Sequence, residues 1–305
     1  MQLNLLFNSL LKRLAPFYDL PEAESITKIV IEKISGEGSP SRYSMAPELT
    51  EEKVKEAEEI IIRLIQKEPI QYILGTAHFF GYDFKVGPEV LIPRRETEEL
   101  VDWILNDFPW GQQRGVDLCT GSGCIAHTLK LERSNWNLLG VDLSWKALEI
   151  ARENGELLGS KIVFEEKDVL RSADLVERIC SIPIKFYNSI TGDPLGHRKG
   201  FKSDELNRVD FIVSNPPYVR ELEKEDMQVQ VLDHEPEMAL FVPDHDALIF
   251  YERIIEIAEE SLRPGGKLYL EINEAFGKDV VDLMEAAGFE DVELRKDMQG
   301  KDRMV

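Results

Sequence analysis

Cysteine is scarce in this chain of 305 residues: Cys119, Cys124 and Cys180 form no CxxC pair, and their count is odd. That argues against a zinc ribbon or a disulfide framework and points to a reducing, cytoplasmic setting. The five histidines, at 78, 127, 197, 234 and 245, are too scattered to imply a metal. Long apolar runs are also missing, and none approaches the roughly 20 residues of a membrane-spanning helix. The amino-terminal MQLNLLFNSLLKRL places its charges after its apolar stretch, the reverse of a secretory signal. Positive charge is the last deficit. Thirty-six Lys and Arg stand against 57 Asp and Glu, a net charge of -21. Neutralising phosphates supplies most of the affinity for a duplex, so so acidic a chain is a poor candidate for gripping nucleic acid. Solubility is the plainer account of the acidity.

What is present divides into two patterns. Over roughly the first seventy residues the apolar positions recur at helical spacing: Leu3, Leu6, Leu10 and Leu14, then Val54, Ala57, Ile61 and Leu64. Thr50 is placed to cap the second helix, with Glu51 and Glu52 in its first turn. A helical unit over 1–72 is expected, either as a lid or as a contact surface for a macromolecular substrate. Residues 73–95 carry β-formers between glycines and read as a hairpin linker. Across 96–305, short apolar runs alternate with helical stretches. The strands expected are Gly115–Leu118, Leu138–Asp142, Lys161–Phe164, Val209–Ser214 and Lys267–Ile272, with helices such as Trp145–Glu156 and Leu248–Leu262 between them. Alternation of this kind predicts an α/β domain whose sheet is mostly parallel and covered on both faces. Val292–Leu294 and Arg303–Val305, flanking Gly300, are expected to add an antiparallel edge. Residues 171–208 carry prolines and glycines with little periodicity and read as a surface excursion.

Between the first strand and its helix lies Val116-Asp-Leu-Cys-Thr-Gly-Ser-Gly-Cys-Ile-Ala126. Gly121 and Gly123 allow a ligand close to the backbone, and the helix start offers unpaired N–H groups. Ala126 stands where a dinucleotide fingerprint has its third glycine, so the turn alone is weak evidence. Asp142 ends the next strand, placed to accept the two ribose hydroxyls of a nucleoside. Asp168, with Val169, follows the third strand and is placed to meet an adenine ring. Asp117, within the first strand, is either a capping carboxylate or an acceptor near a ligand ammonium group. A nicotinamide cofactor and S-adenosylmethionine share a nucleoside, and these carboxylates do not separate them.

Asn215-Pro-Pro-Tyr218 follows the apolar strand 210–214 directly. Two prolines at the carboxyl end of a core strand give a rigid loop at the sheet edge where α/β ligand sites lie. Such a loop aims the Asn215 side chain and the Pro216 carbonyl at one point, and a planar NH2 group needs two acceptors. The tetrapeptide resembles the motif of methyltransferases that act on planar nitrogens, adenine N6 in nucleic acids and glutamine N5 in proteins. Five further stretches resemble the glutamine branch, the HemK/PrmC family, which modifies the Gly-Gly-Gln glutamine of class 1 peptide-chain release factors. They are Gln71-Tyr-Ile-Leu-Gly75, Phe80-Gly-Tyr-Asp-Phe84, Val90-Leu-Ile-Pro-Arg-Arg-Glu-Thr-Glu98, Glu235-Pro-Glu-Met-Ala-Leu240 and Gly300-Lys-Asp-Arg303. Two departures stand out. Cys119 replaces the family's usual glycine, and Arg95 replaces a proline.

The resemblance implies a class I S-adenosylmethionine-dependent methyltransferase, Rossmann-like, with a small N-terminal helical domain that recognises the substrate. It implies S-adenosylmethionine as methyl donor, S-adenosylhomocysteine as product, release factors as protein partners, no direct nucleic acid, and no membrane. Catalysis would fall to Asn215 and Pro216, and substrate binding to these two with Pro217, Tyr218 and Phe80. The cofactor would meet Asp117, Cys119, Thr120, Gly121, Ser122, Gly123, Asp142, Leu143, Asp168, Val169 and Asn215. An adenine-N6 nucleic-acid methyltransferase shares the tetrapeptide and is the alternative, disfavoured by the charge. A non-catalytic binding module would not need both the tetrapeptide and Asp142, and a nicotinamide oxidoreductase leaves the tetrapeptide unexplained.

Overall fold

The computed structural model describes residues 1–38, 40–43, 48–181 and 208–305, so 182–207 of the expected excursion lie outside the described residues. The chain divides into two compact units, Met1–Gly75 with Gln228–His234, and Thr76–Met227 with Glu235–Val305.

In the first unit, α1 (Leu3–Leu14) buries all four leucines of its stripe, and α2 (Leu20–Ser35) buries Ile26, Val30, Ile31 and Ile34. Helix α2 opens on Asp19, whose side chain accepts from the Glu22 N–H, with Pro21 in its first turn, and it stops at Gly36 with φ 76°. Helix α3 (Glu51–Ile65) starts where Thr50 Oγ1 accepts from Lys53 N at 3.4 Å. Its buried face is Ala57, Ile60, Ile61 and Leu64, while Val54 is half-buried. A short α4 (Ile70–Leu74) follows.

The second unit begins with a hairpin, β1 (Thr76–Phe79) against β2 (Tyr82–Lys85). Its two turn residues, Phe80 and Gly81, have φ of 51° and 83°, as a two-residue type I′ connection requires. Helix α5 (Arg95–Asp107) leads to β3 (Arg114–Leu118), α6 (Cys124–Glu132), β4 (Asn137–Asp142), α7 (Trp145–Leu158), β5 (Val163–Glu166) and α8 (Leu175–Cys180). Beyond the excursion come β6 (Val209–Ser214), β7 (Val219–Arg220), the first unit's α9 (Val229–His234), β8 (Phe241–Val242), α10 (Ile249–Ser261), β9 (Leu262–Leu270) and α11 (Gly277–Ala286). β10 (Arg295–Lys296) and β11 (Asp302–Met304) close the chain. No described helix is long and apolar enough to cross a membrane.

The main sheet has the order β5-β4-β3-β6-β9, every pair parallel. Its residues alternate between two apolar layers. Val116, Leu118 and Ile212 face one with Tyr251 and Ile254 of α10, whereas Phe211, Val213 and Tyr269 face the other with Trp103 of α5. The chain enters at β3, runs outward to β5, then returns to β6 on the other side. The carboxyl ends of β3 and β6 therefore flank the topological switch, where open α/β sheets hold ligands. Gly115 is needed for this packing, since a Cβ there would lie 2.1 Å from Phe211 Cζ. Gly115→Ala is expected to cost about 3 kcal/mol in urea denaturation, at the upper end for overpacking a core.

The antiparallel edge differs from expectation in its register. Val292 and Leu294 pack against the first apolar layer instead of forming a strand. Asp297 N donates to Lys301 O and Gly300 N to Asp297 O, so the turn closes at 297–301 and the pairing starts at Arg295. Arg303–Val305 then run along the end of β9, with Leu270 and Val305 exchanging backbone hydrogen bonds of 2.8 and 2.9 Å.

Candidate active site

The turn after β3 is built from backbone conformations that side chains resist. Cys119 has φ 60°, Gly121 56° and Gly123 76°. The left-handed conformation at 119 accounts for the glycine usual at this position, because a Cβ there strains the backbone. A Cβ on Gly121 would meet nothing within 4 Å, and this glycine opens onto a cavity of about 300 Å³, the scale of a small-molecule site.

Asp142, at the end of β4, braces the turn. Its Oδ2 accepts from Gly121 N at 2.8 Å and its Oδ1 from Ser144 N at 2.9 Å. Burial raises its pKa, and these backbone donors oppose the rise. Each oxygen keeps a further lone pair, so the carboxylate retains acceptor capacity toward the cavity it lines. Leu143, Val169, Leu170 and Phe250 supply apolar lining, and Asp168, whose Oδ1 accepts from Leu170 N at 2.9 Å, supplies a second carboxylate.

Asp117 lies beneath the turn and is buried. Its Oδ2 accepts from Thr120 Oγ1 at 2.5 Å and from Ala126 N at 3.3 Å, whereas Oδ1 has no partner among the described residues. Burial pushes its pKa from 3.8 up to about 7, against the pull of those two donors. Between pH 4 and 7 the folded chain therefore binds more protons here than the unfolded chain. The contribution of this group to stability falls as pH rises through that window and is flat above it. Asp117→Asn should remove that slope and gain on the order of 3 kcal/mol relative to wild type at pH 8 over pH 4. Urea denaturation at the two pH values reads the difference, and equal slopes would remove the assignment.

Across the cavity, Ser214 Oγ donates to Leu118 O at 2.7 Å and ties the end of β6 to that of β3. Asn215 and Pro217 line the cavity beyond it. Asn215 Nδ2 donates to Thr97 Oγ1 at 3.3 Å, and Thr97 Oγ1 donates to Glu271 Oε2 at 2.6 Å. Tyr218 turns its hydroxyl to Glu271 Oε1 at 3.1 Å, while Tyr218 N and Val219 N both donate to Leu240 O. The wall formed by 89–94 is held by Glu235, a buried carboxylate that accepts from Arg94 Nη2 at 2.6 Å and from Ile92 N at 3.3 Å. Arg95 opens α5 at the first helical position, where proline also fits because that N–H has no helical partner.

Of the residues singled out in the sequence, Cys119, Thr120, Gly121, Ser122, Asp142, Leu143, Asp168, Val169, Asn215 and Pro217 line this one cavity. Asp117, Gly123, Pro216 and Tyr218 are not among its lining residues. Phe80 sits in the hairpin turn, packed on the α5 layer, and does not line the cavity. Arg94, Thr97 and Met238, from stretches that carried the resemblance but were given no site role, also line it, as does Phe250, and Glu235 and Glu271 support it.

The family model of the methyltransferase small domain matches residues 97–183. Release factor glutamine methyltransferase from Bacteroides thetaiotaomicron is 46% identical over 253 residues, 83% of this chain and 80% of that protein. Release factor glutamine methyltransferase from Flavobacterium psychrophilum is 37% identical over 298 residues, 96% of this chain and 94% of that protein. Among solved structures, the hMettl16 catalytic domain in complex with MAT2A 3′UTR hairpin 6 has a TM-score of 0.50 at 14% identity, covering 84% of this chain and 80% of that one. That last likeness is one of fold.

Proposed function

The chain belongs to the release factor glutamine methyltransferases, and from that premise we propose that it methylates N5 of the Gly-Gly-Gln glutamine in class 1 release factors, with S-adenosylmethionine as donor. The observation that carries the reading is that Asn215, on a loop stiffened by two prolines, and the Asp142-braced glycine turn line the same cavity.

The residues present fit S-adenosylmethionine. Asp142 would hold the ribose hydroxyls, Leu143 and Val169 with Asp168 the adenine, and the unpartnered Asp117 oxygen is suited to a ligand ammonium group. When bound, the donor supplies a methyl group on a sulfonium, already attached to a good leaving group. An amide nitrogen is a poor nucleophile because its lone pair is delocalised into the carbonyl, so the protein's task is to position and polarise it. Asn215 Oδ1 and the Pro216 carbonyl accept the two amide hydrogens. Held at both, the nitrogen presents its lone pair in one direction. Pro217 and Tyr218 stiffen the loop, and the helical domain at 1–72 is assigned to grasping the release factor. Three thiols free of disulfides suit the reducing cytoplasm.

The test is methyl transfer from labelled donor to purified release factor, its Gln→Ala form at Gly-Gly-Gln, and unmethylated DNA. Label on the wild-type factor alone is expected. Label on the DNA, or equally on both forms of the factor, overturns the assignment.

A further inference from the structure

Thr97 has a single hydroxyl hydrogen, and its neighbours decide where that hydrogen goes. Oγ1 lies 2.6 Å from Glu271 Oε2 and 3.3 Å from Asn215 Nδ2. The shorter contact takes the hydrogen: with Glu271 ionised its oxygens only accept, the Thr97 hydroxyl donates to Oε2, and the Thr97 oxygen meets Asn215 as an acceptor. Glu271 is held in turn. Its other oxygen accepts from Tyr218 Oη at 3.1 Å, and the positive charge of Arg303 acts on it. Burial raises the pKa of Glu271 above the usual carboxylate value and the Glu96 charge adds to the rise, while the Thr97 hydroxyl, the Arg303 charge and the Tyr218 hydroxyl oppose it without cancelling it. Thr97 and Glu271 are 2% and 1% exposed, so water does not compete for these bonds.

We infer that Thr97, oriented by Glu271, is a positioning residue that fixes which way the Asn215 amide faces. The two ends of an asparagine amide are nearly equal in size, and only hydrogen bonding distinguishes them. In the observed orientation NH2 faces Thr97 and Oδ1 is left without a donor among the described residues. Rotated by half a turn, Oδ1 would face the Thr97 oxygen with no hydrogen between them. The substrate amide would then meet an NH2 group, donor against donor. One threonine hydroxyl thus decides whether Asn215 accepts from the substrate or repels it. The inference rests on Asn215 as the acceptor of an amide hydrogen.

Thr97→Val keeps the shape and removes the hydroxyl, and Thr97→Ser keeps the hydroxyl. With release factor as substrate, the valine variant is expected to lose roughly 100-fold in kcat, the scale of a misplaced reacting group. Its KM for the factor and its S-adenosylhomocysteine affinity by calorimetry should stay near wild type. Serine should restore kcat. Glu271→Gln reaches the same point with little change in volume: its amide can donate to Thr97, the hydroxyl hydrogen is freed, and kcat falls. Wild-type kcat in both the valine and glutamine variants, or equal losses in valine and serine, overturns the inference. Asn215→Ala separates the two levels. If it is inactive while Thr97→Val is fully active, only the role of Thr97 fails; if it turns over normally, the acceptor reading of Asn215 fails first.

Discussion

Asn215→Asp is expected to lower kcat by 10²- to 10³-fold, the range for removing one preorganised hydrogen-bonding group from an active site. The exchange is nearly isosteric, so the loss comes from charge and hydrogen-bond polarity. Asparagine offers Nδ2 to Thr97, 3.3 Å away. Aspartate has no hydrogen to offer, and the Thr97 hydroxyl already donates to Glu271. Two oxygens would face each other across a contact that is now a hydrogen bond. The new carboxylate would also sit near the buried Glu271, so it would either displace the loop or take up a proton. Only the protonated form offers both a donor toward Thr97 and a neutral acceptor toward the substrate, and holding it at neutral pH costs free energy that asparagine does not need. Steady-state methyl transfer to release factor, with S-adenosylhomocysteine binding as the control for an intact site, checks the expectation. Near-normal turnover by a variant that binds S-adenosylhomocysteine would sink the role given to Asn215.

Short-range pattern carried the sheet and the ligand turn into view. The strands at 115–118, 138–142 and 209–214 are short apolar runs each carrying one acidic residue, Asp117, Asp142 and Asp210, and β3, β4 and β6 lie on them, extended by at most one residue at the start. The glycine turn, Asp142 and Asn215 are each defined within a few residues of a strand end, so sequence order alone places them at one edge. Helix α2 is not among the stripes read from spacing, because its buried face includes Ala23 and Thr27, which dilute the apolar period. The supports of the site were beyond reach for a different reason. Thr97 and Glu271 are 174 residues apart, and Arg94 and Glu235 are 141 apart. No periodicity links such pairs; the return of the chain from β5 to β6 and β9 brings them together. Thr97 lies in a stretch that carries the resemblance and Glu271 in an expected strand, but neither has a site role until the fold sets one against the other.

Asp142→Asn should weaken S-adenosylhomocysteine binding by about 3 kcal/mol, or roughly 100-fold, the worth of two hydrogen bonds to a charged acceptor. The wild-type carboxylate meets a backbone N–H on each oxygen, Gly121 on one and Ser144 on the other. Asparagine can satisfy only one of them, and its NH2 must face the second N–H as donor against donor. The residue therefore loses charge toward the ribose and its grip on the turn together. Those two losses separate in a cycle with a 2′-deoxy analogue of S-adenosylhomocysteine. Wild type should bind the analogue more weakly than the parent, because one hydroxyl no longer meets the carboxylate. The variant should distinguish the two far less, since its carboxylate is already gone, and a purely turn-bracing Asp142 would leave that discrimination unchanged. Full discrimination by Asp142→Asn would place the ribose against another group and leave Asp142 as a brace for Gly121 alone.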